Sequence, residues 1–208
     1  MTIERPGAER WVPAGADLDG LRAAVQDCRG CELWEPATQA VFSEGPRDAR
    51  ILLVGEQPGD QEDRKGTPFI GPAGRLLADA LTAAGIQQSA VYVTNAVKHF
   101  RFTLRGKRRI HEKPGTAHVV ACHPWLESEL SLVQPRIVVC LGATAARAVL
   151  GEDVKVTAVR GLVSQAAPGL VMVTVHPSSV LRLRGRDGWD DAFDAFVSDL
   201  RAAAQAIG

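Results

Sequence analysis

The strongest constraint on this fold is a set of four short apolar runs, each closing at a glycine or beside polar residues. Such runs predict parallel strands that are covered on both faces. The segments between them carry apolar residues at helical spacing, so strands and helices alternate along the chain. This alternation predicts an α/β protein, a three-layer α/β/α sandwich with a central four-stranded parallel sheet. The predicted strands are 50–56, 90–95, 136–142 and 170–175, and the predicted helices are 17–27, 72–85, 116–132, 143–150 and 189–208.

The chain has 208 residues, a length that suits one compact domain. Length alone also allows two small domains, but the chain shows no internal repeat and no low-complexity linker. We predict a single domain over 1–208, in which the polar segment 1–17 forms an N-terminal arm. The N-terminus lacks the apolar segment of a secretory signal, and no run approaches the roughly 20 apolar residues that span a bilayer. We expect a cytoplasmic protein without a membrane partner, and a monomer. Cysteines stay reduced in the cytoplasm, so its four cysteines indicate metal or redox chemistry before disulfides.

Positive charge is concentrated in one segment, although the chain as a whole has 24 basic and 24 acidic residues. Residues 98–113 include seven Lys or Arg and one Glu among 16 residues, with Phe100 and Phe102 between them. We predict a long loop here, since the segment has no apolar periodicity. Basic residues interleaved with aromatic ones favour contact with a nucleic-acid backbone. A solvated loop without a partner is the alternative.

Polar residues follow the predicted strands, at the edge where parallel sheets bind ligands. The segment 55–63 is a turn rich in glycine and acids, and it lacks the Gly-Lys-Ser/Thr of a phosphate-binding loop. Asn95 ends the second strand, and His176 follows the fourth. His176 is either a catalytic hydrogen-bond donor or a structural histidine. Phe69, between glycines, is either a stacking platform for a flat ring or an ordinary core residue.

The spacing Cys28-x-x-Cys31 is typical of metal ligation or of thioredoxin-like redox sites. A redox pair would begin a helix after a strand, whereas this pair follows a predicted helix, so we favour a metal. Zinc and an iron–sulfur cluster both accept such ligands. Cys122 is a further candidate ligand, while Cys140 lies within a buried strand, where cysteine often acts as a small apolar residue.

Seven motifs, in this order, resemble those of the family 4 uracil-DNA glycosylases, within the uracil-DNA glycosylase superfamily. The resemblance runs from about Cys28 to the end of the chain. It implies the same sandwich fold, excision of uracil from DNA, and a four-iron, four-sulfur cluster with a mainly structural role. The motifs are CxxC, the GExPGxxED turn, GxPFxGxAGxLL, VTNxVK, a cysteine in the second half, LGATAA and HPS.

Two departures from family 4 resemble the UdgX subgroup. His99 stands where family 4 has a ligand cysteine, and 101–113 is an insertion that contains Lys-Arg-Arg-Ile-His, residues 107–111. In that subgroup, this histidine bonds covalently to the abasic sugar after uracil leaves. The resemblance therefore implies that His111 is the nucleophile. A turnover glycosylase that uses water, and a nucleic-acid-binding module without activity, remain the alternatives.

The resemblance also implies roles for other residues around the uracil. Glu56 and Asp60 would stabilise the sugar cation or orient the nucleophile, and His176 would donate a hydrogen bond to the departing uracil. The residues implied to contact the substrate are Gln57, Phe69, Asn95 and Arg109.

The resemblance also leads us to expect particular ligands of the cluster and particular contacts with DNA. The implied cluster ligands are Cys28, Cys31, His99 and Cys122, with Cys140 competing for the fourth position. The expected partner is uracil-containing DNA, preferentially single-stranded because its bases need no unpairing. The implied DNA contacts are Lys107, Arg108 and Arg182.

Overall fold

A computed structural model describes residues 5–161, 163–166 and 169–208. Its strands are β1 (Ile51–Gly55), β2 (Val91–Asn95), β3 (Phe102–Arg105), β4 (Arg108–His111), β5 (Ile137–Leu141), β6 (Val163–Ala166) and β7 (Gly169–Thr174). Its α-helices are α1 (Leu18–Ala24), α2 (Asp60–Lys65), α3 (Pro72–Ala83), α4 (Thr116–Val133), α5 (Ala143–Leu150), α6 (Val156–Val159), α7 (Pro177–Leu181) and α8 (Trp189–Gln205). Short 3₁₀ helices span Glu9–Trp11, Val25–Asp27, Glu32–Trp34 and Gln88–Ala90.

The central sheet has the strand order β2-β1-β5-β7-β6. The pairs β1–β2, β1–β5 and β5–β7 are parallel, which confirms the four predicted parallel strands. The antiparallel strand β6 extends the sheet beyond β7 and was not predicted.

Alternation along the strands divides the core into two layers. Leu52 and Val54 of β1 pack with α1, α4 and α5 on one face of the sheet. Leu53, between them, packs with α3, α7 and α8 on the other face. Helices therefore cover both faces, and the predicted three-layer α/β/α sandwich is confirmed.

The prediction of a long loop over 98–113 was wrong, because the segment contains an antiparallel hairpin of β3 and β4. Phe102 pairs with His111, and Leu104 pairs with Arg109. Facing residues of an antiparallel pair lie on the same side, so these four side chains share one face of the hairpin. The helices α2, α6 and α7 were also not predicted.

The described part of the N-terminal arm, residues 5–17, lies against the body of the protein. The Gly7 N–H donates to the Gly30 carbonyl over 3.1 Å, and Ala8 is fully buried in the core with Cys28 and Cys31. A Cβ on Gly30 would lie 2.9 Å from the Gly7 carbonyl carbon. This close approach explains why glycine precedes Cys31.

Among the described residues, we find no helix with the length and apolarity needed to cross a bilayer.

Replacing a core leucine tests the layer assignment. Leu53 is fully buried, and we expect Leu53→Ala to lower the free energy of unfolding by about 2–5 kcal/mol, because it leaves a cavity between β1 and the helices. Leu104 is 69% exposed, so Leu104→Ala is the control, with an expected change within about 0.5 kcal/mol. Urea denaturation followed by circular dichroism measures both. Equal effects of the two substitutions would contradict the assignment.

Candidate active site

The carboxyl ends of the parallel strands meet around a cavity of about 700 Å³. Glu56 directly follows β1, Asn95 ends β2, and His176 lies two residues after β7. All three line the cavity, together with Phe69 and, from the hairpin, His111. The structure therefore brings the implied nucleophile into the same cavity as the implied base-recognition residues.

Two glycines allow Phe69 and Asn95 to lie side by side at the cavity. A Cβ on Gly55 would lie 2.4 Å from Asn95 Oδ1 and 2.7 Å from Phe69 Cζ, which no side chain tolerates. A Cβ on Gly74 would lie 1.7 Å from the Phe69 carbonyl oxygen. Phe69 itself has a positive φ of 55°, a rare conformation for an aromatic residue. The backbone is thus shaped to present this ring beside the amide.

His176 is held as a neutral imidazole in one tautomer. Burial is the main cause that lowers its pKa to about 4, and the neighbouring His111 and Arg182 add to the shift. Its Nδ1 accepts the Ser178 backbone N–H over 3.1 Å and lies 2.8 Å from the Ser178 hydroxyl. Since Nδ1 is an acceptor and the ring is neutral, the proton resides on Nε2. Nε2 is therefore a hydrogen-bond donor at neutral pH.

His111 lies beside a carboxylate. Its Nε2 is 3.5 Å from Glu56 Oε1, and its ring is half exposed. The other carboxylate oxygen, Glu56 Oε2, accepts the Thr144 hydroxyl over 2.5 Å. Thr144 belongs to α5, which begins directly after β5, so the third strand end also contributes to the site. Thr144 thereby orients Glu56 toward the imidazole.

Arg109 has different partners from those that the sequence suggested. Its Nε donates to Asp60 over 2.5 Å, and its Nη1 donates to Asp63 over 2.6 Å and to the Thr38 hydroxyl over 3.2 Å. These hydrogen bonds occupy the guanidinium group and both carboxylates, and the Arg109 side chain is 11% exposed. Asp60 also accepts from Arg64, although it lines the cavity. The geometry thus makes Arg109 and Asp60 an anchor between the hairpin and α2.

Aromatic rings support the same anchor. Phe100 and Phe102 stack with their centroids 5.2 Å apart. The Arg109 guanidinium carbon lies 4.9 Å from the centroid of Phe102 and 5.5 Å from that of Phe100. His111 tilts against Phe100 at a centroid distance of 6.0 Å. Cation–π and aromatic contacts therefore fix the base of the hairpin on the side that carries His111.

The Gln57 side chain closes the base of the hairpin. Its Nε2 donates to the carbonyls of Arg101 and Glu112, each over 3.1 Å, and its Oε1 accepts the Arg101 N–H over 3.1 Å. Its side-chain amide thereby joins the two chain segments that flank the hairpin, and a contact between Gln57 and uracil stays a prediction. Gln57 still lines the cavity.

The expected DNA contacts are all exposed at the surface. Lys107 and Arg108 are exposed at the tip of the hairpin. Arg182 follows α7, is exposed and lines the cavity. Of these three cations, Arg182 therefore lies at the cavity itself, whereas Lys107 and Arg108 belong to the hairpin whose β4 also carries His111.

Three of the four cysteines lie near one another. Cys28, Cys31 and Cys122 are buried in the core layer of α4, and the charges of Cys28 and Cys31 both contribute to the raised pKa of Cys122. Burial raises the pKa of Cys31 to about 11 and that of Cys122 to about 12. Burial alone raises the pKa of Cys140, in β5, to about 12.

Donors already point at these sulfurs. Trp125 Nε1 donates to Cys28 Sγ over 3.3 Å, and the Lys98 backbone N–H donates to Cys122 Sγ over 3.3 Å. His99, next to Lys98, is buried, and burial lowers its pKa to about 4, so its ring is neutral at pH 7. In the described ranges, no three His, Cys, Asp or Glu side chains are arranged to hold a single metal ion.

Sequence reasoning missed three residues of the site. Thr144 and Ser178 orient Glu56 and His176, respectively. Both belong to motifs that the sequence showed, LGATAA and HPS, but neither was given a role. Glu62 lines the cavity and accepts the Gly59 N–H over 3.1 Å and the Gly71 N–H over 2.7 Å. It ties the turn after β1 to the start of α3. Its position as the third residue of α2, a common capping position, was a usable signal.

The strand ends of this parallel sheet thus bring a carboxylate, an amide and a neutral histidine to one cavity of an α/β/α sandwich. Residues 42–201 match the family model described as "Uracil DNA glycosylase superfamily", and the chain belongs to that superfamily.

Individual relatives agree with this membership. A type-4 uracil-DNA glycosylase of Thermotoga maritima is 36% identical over 165 residues, which cover 78% of this chain and 82% of the relative. A type-4 uracil-DNA glycosylase of Pyrobaculum aerophilum is 33% identical over 181 residues, covering 81% and 88% of the two chains. A type-5 uracil-DNA glycosylase of the same organism is 33% identical and covers 81% and 79%.

Two neighbouring arginines test the anchor of the hairpin. In Arg109→Met the ion pairs with Asp60 and Asp63 are lost, so we expect faster hydrogen–deuterium exchange of the amides in 102–111. Arg108→Met is the matched control, because Arg108 is exposed and its replacement leaves the anchor intact. Mass spectrometry of exchanged peptides measures both variants. Unchanged protection in Arg109→Met would show that the aromatic contacts suffice.

Proposed function

We propose that this protein excises uracil from DNA and that His111 then forms a covalent bond with the abasic sugar. One observation carries the proposal: His111 lies in the same cavity as Asn95, Phe69 and His176, and 3.5 Å from Glu56. The superfamily membership and the type-4 relatives support uracil excision. The placement of His111 supports the covalent step.

Uracil must leave the base stack to enter the cavity. Extrusion costs a few kcal/mol in a duplex and less in a single strand, so we expect single-stranded uracil DNA to be preferred. Phe69 would stack on the ring, and the Asn95 amide would bond the Watson–Crick edge, distinguishing uracil from cytosine by the reversed donor and acceptor.

Cleavage breaks the bond between the sugar carbon C1′ and uracil N1, and the electron pair leaves with uracil. His176 Nε2–H would donate to a uracil oxygen as negative charge develops. A neutral donor fits this step, because the ring already carries the required proton on Nε2. The released uracil anion takes up a proton from solvent. The sugar is left with oxocarbenium character.

His111 would then attack the sugar cation. A lone pair on one imidazole nitrogen forms the new N–C1′ bond, and the proton on the other nitrogen passes to the Glu56 carboxylate. Glu56, whose other oxygen bonds Thr144, would accept it, and the 3.5 Å between Glu56 Oε1 and His111 Nε2 supports this role. The product is a neutral N-alkyl imidazole, which is a poor leaving group. We therefore expect one excision event per protein molecule.

The exposed cations would hold the DNA strand on either side of the extruded nucleotide. Lys107 and Arg108 would contact phosphates from the hairpin tip, and Arg182 from the cavity lining. Binding through phosphates weakens as salt concentration rises.

A second candidate is a turnover glycosylase in which water attacks the sugar. The type-4 relatives favour it, and Glu56 could orient a water as well as an imidazole. In this alternative, His111 only contacts DNA.

Denaturing electrophoresis separates the two candidates. Wild-type protein incubated with single-stranded uracil DNA should give a shifted band that survives SDS, and His111→Ser should lose that band because serine offers no basic nitrogen. His123→Ser, a histidine of α4 that does not line the cavity, is the matched control and should keep the band. A shifted band in His111→Ser would remove His111 from the mechanism, and free abasic DNA without any shift in wild type would favour water.

We further propose that Cys28, Cys31, Cys122 and His99 hold a four-iron, four-sulfur cluster. The donor set fits: three buried sulfurs with N–H donors directed at two of them, and a buried neutral imidazole. Ligands of such a cluster bind different irons, so they need not converge on one point as zinc ligands do. The bound cluster would join the segment after α1 to α4, and this chain's own residues would carry out the chemistry.

Metal analysis tests the ligand set. Purified protein should contain iron and acid-labile sulfide, and Cys122→Ser should lose most of both because a ligand is removed. Cys140→Ser is the control and should keep them, since Cys140 lies within β5. Iron loss in Cys140→Ser with full occupancy in His99→Ala would reassign the fourth ligand, and zinc in place of iron would contradict the cluster.

A further inference from the structure

A lysine and a glutamate form a fully buried ion pair beside the candidate active site. Lys98 and Glu129 have no solvent exposure, and Lys98 Nζ donates to Glu129 Oε2. Nζ also donates to the Thr94 hydroxyl over 2.6 Å and to the Asn95 carbonyl over 3.0 Å. The ammonium thus directs all three of its donors to protein groups.

The Glu129 carboxylate also has hydrogen-bond partners besides Lys98. Glu129 Oε1 accepts the Thr94 hydroxyl over 2.8 Å and the Tyr92 hydroxyl over 3.1 Å, and the Tyr92 oxygen lies 2.5 Å from the Ser43 hydroxyl. Lys98 Nζ also lies 5.5 Å from the ring centroid of Phe42. The network therefore extends from the sheet interior to the backbone of the residue that lines the cavity.

Stability alone is a weak reason for such a pair. Taking two charges out of water costs several kcal/mol each, and well-packed apolar residues of similar volume often serve a fold as well or better. An apolar pair at 98 and 129 could fill the same space. What it could not do is donate a hydrogen bond to the Asn95 carbonyl.

We propose that Lys98 is a positioning residue that sets the Asn95 side chain for uracil recognition. The ammonium holds the carbonyl of the peptide group that links Asn95 to Ala96, at the end of β2. The N–H of the same peptide group, which belongs to Ala96, donates to the Gly55 carbonyl over 2.9 Å. Because both polar atoms of this peptide group are held, the Asn95 side chain extends from a fixed backbone, and its Oδ1 lies beside Gly55 and Phe69. This inference rests on the proposed function, in which Asn95 selects the base.

The test uses a variant without the charges. Lys98→Met combined with Glu129→Met removes both ions, so neither is left buried and unpaired. We expect this protein to keep a melting temperature near that of wild type and to release uracil from single-stranded DNA on the order of 10–100-fold more slowly in single-turnover assays, because the amide is misplaced. Lys98→Met with Glu129→Gln is a second version, in which the Gln amide still accepts from Tyr92 and Thr94.

Tyr92→Phe is the matched control. It removes a hydroxyl from the same network without touching Asn95, so it should lower stability while leaving the rate of uracil release within about a factor of two of wild type.

A double-mutant cycle shows whether Lys98 acts through Asn95. Asn95→Ala alone should slow release, and adding the two Met substitutions should slow it no further, within about a factor of two, because the amide they position is already gone. If the Asn95→Ala substitution and the two Met substitutions each slowed release by their full separate factors when combined, the inference would be overturned. A wild-type rate of release in either folded variant that carries Lys98→Met would overturn it as well. Failure of both charge-free variants to fold, with Tyr92→Phe folded, would show a structural role and would also overturn it.

The cycle separates this inference from the function on which it rests. If wild type released no uracil, the proposed function would fail first. If wild type released uracil and the protein with Lys98→Met and Glu129→Met released it at the same rate, only the proposed role of Lys98 would be contradicted.

Discussion

The site depends on the ion pairs that hold the hairpin of β3 and β4 against α2. A two-stranded hairpin alone is marginally stable in water, and this one has cations at its tip. Arg109 compensates by donating to both Asp60 and Asp63, and Gln57 fastens the hairpin base. Arg109 and His111 lie on the same face of β4. The ion pairs that hold Arg109 against α2 therefore also direct His111 toward the cavity.

The two histidines of the cavity are prepared for different tasks by their surroundings. His176 is partly buried at the cavity, its pKa is low, and its tautomer is fixed by Ser178, so it suits hydrogen-bond donation without charge. His111 is half exposed and lies next to Glu56, so it can reach a ligand and give up a proton. In the proposed mechanism, the His176 imidazole donates to the departing uracil, and the His111 imidazole attacks the sugar that remains.

Much of the fold was predictable, because fully covered parallel strands leave an unmistakable apolar signature. Helix α5 was predicted at its observed bounds, and the four parallel strands were predicted within one residue at each end. Strand β6 was missed, since an edge strand needs no continuous apolar run. The hairpin was missed because its cations concealed an alternating pattern around Gly106, whose positive φ of 61° fits a two-residue turn.

Residue identities at the cavity were predictable, but their partners were not. The strand-end rule and the family motifs placed Glu56, Asn95 and His176 at one edge. Nothing in a linear sequence shows that Arg109 faces two carboxylates 46 and 49 positions earlier, or that Gln57 bonds backbone groups 44 and 55 positions later. Such contacts arise only when tertiary packing brings the hairpin onto the turn after β1.

Peptide mapping of the protein–DNA product tests the central claim most directly. Protein incubated with single-stranded uracil DNA would be digested with nuclease and protease, and the modified residue located by tandem mass spectrometry. We predict a deoxyribose-derived mass increment on His111, with unmodified lysines in the same peptides. An increment on Lys107 or Lys113, or abasic DNA released from wholly unmodified protein, would contradict the account.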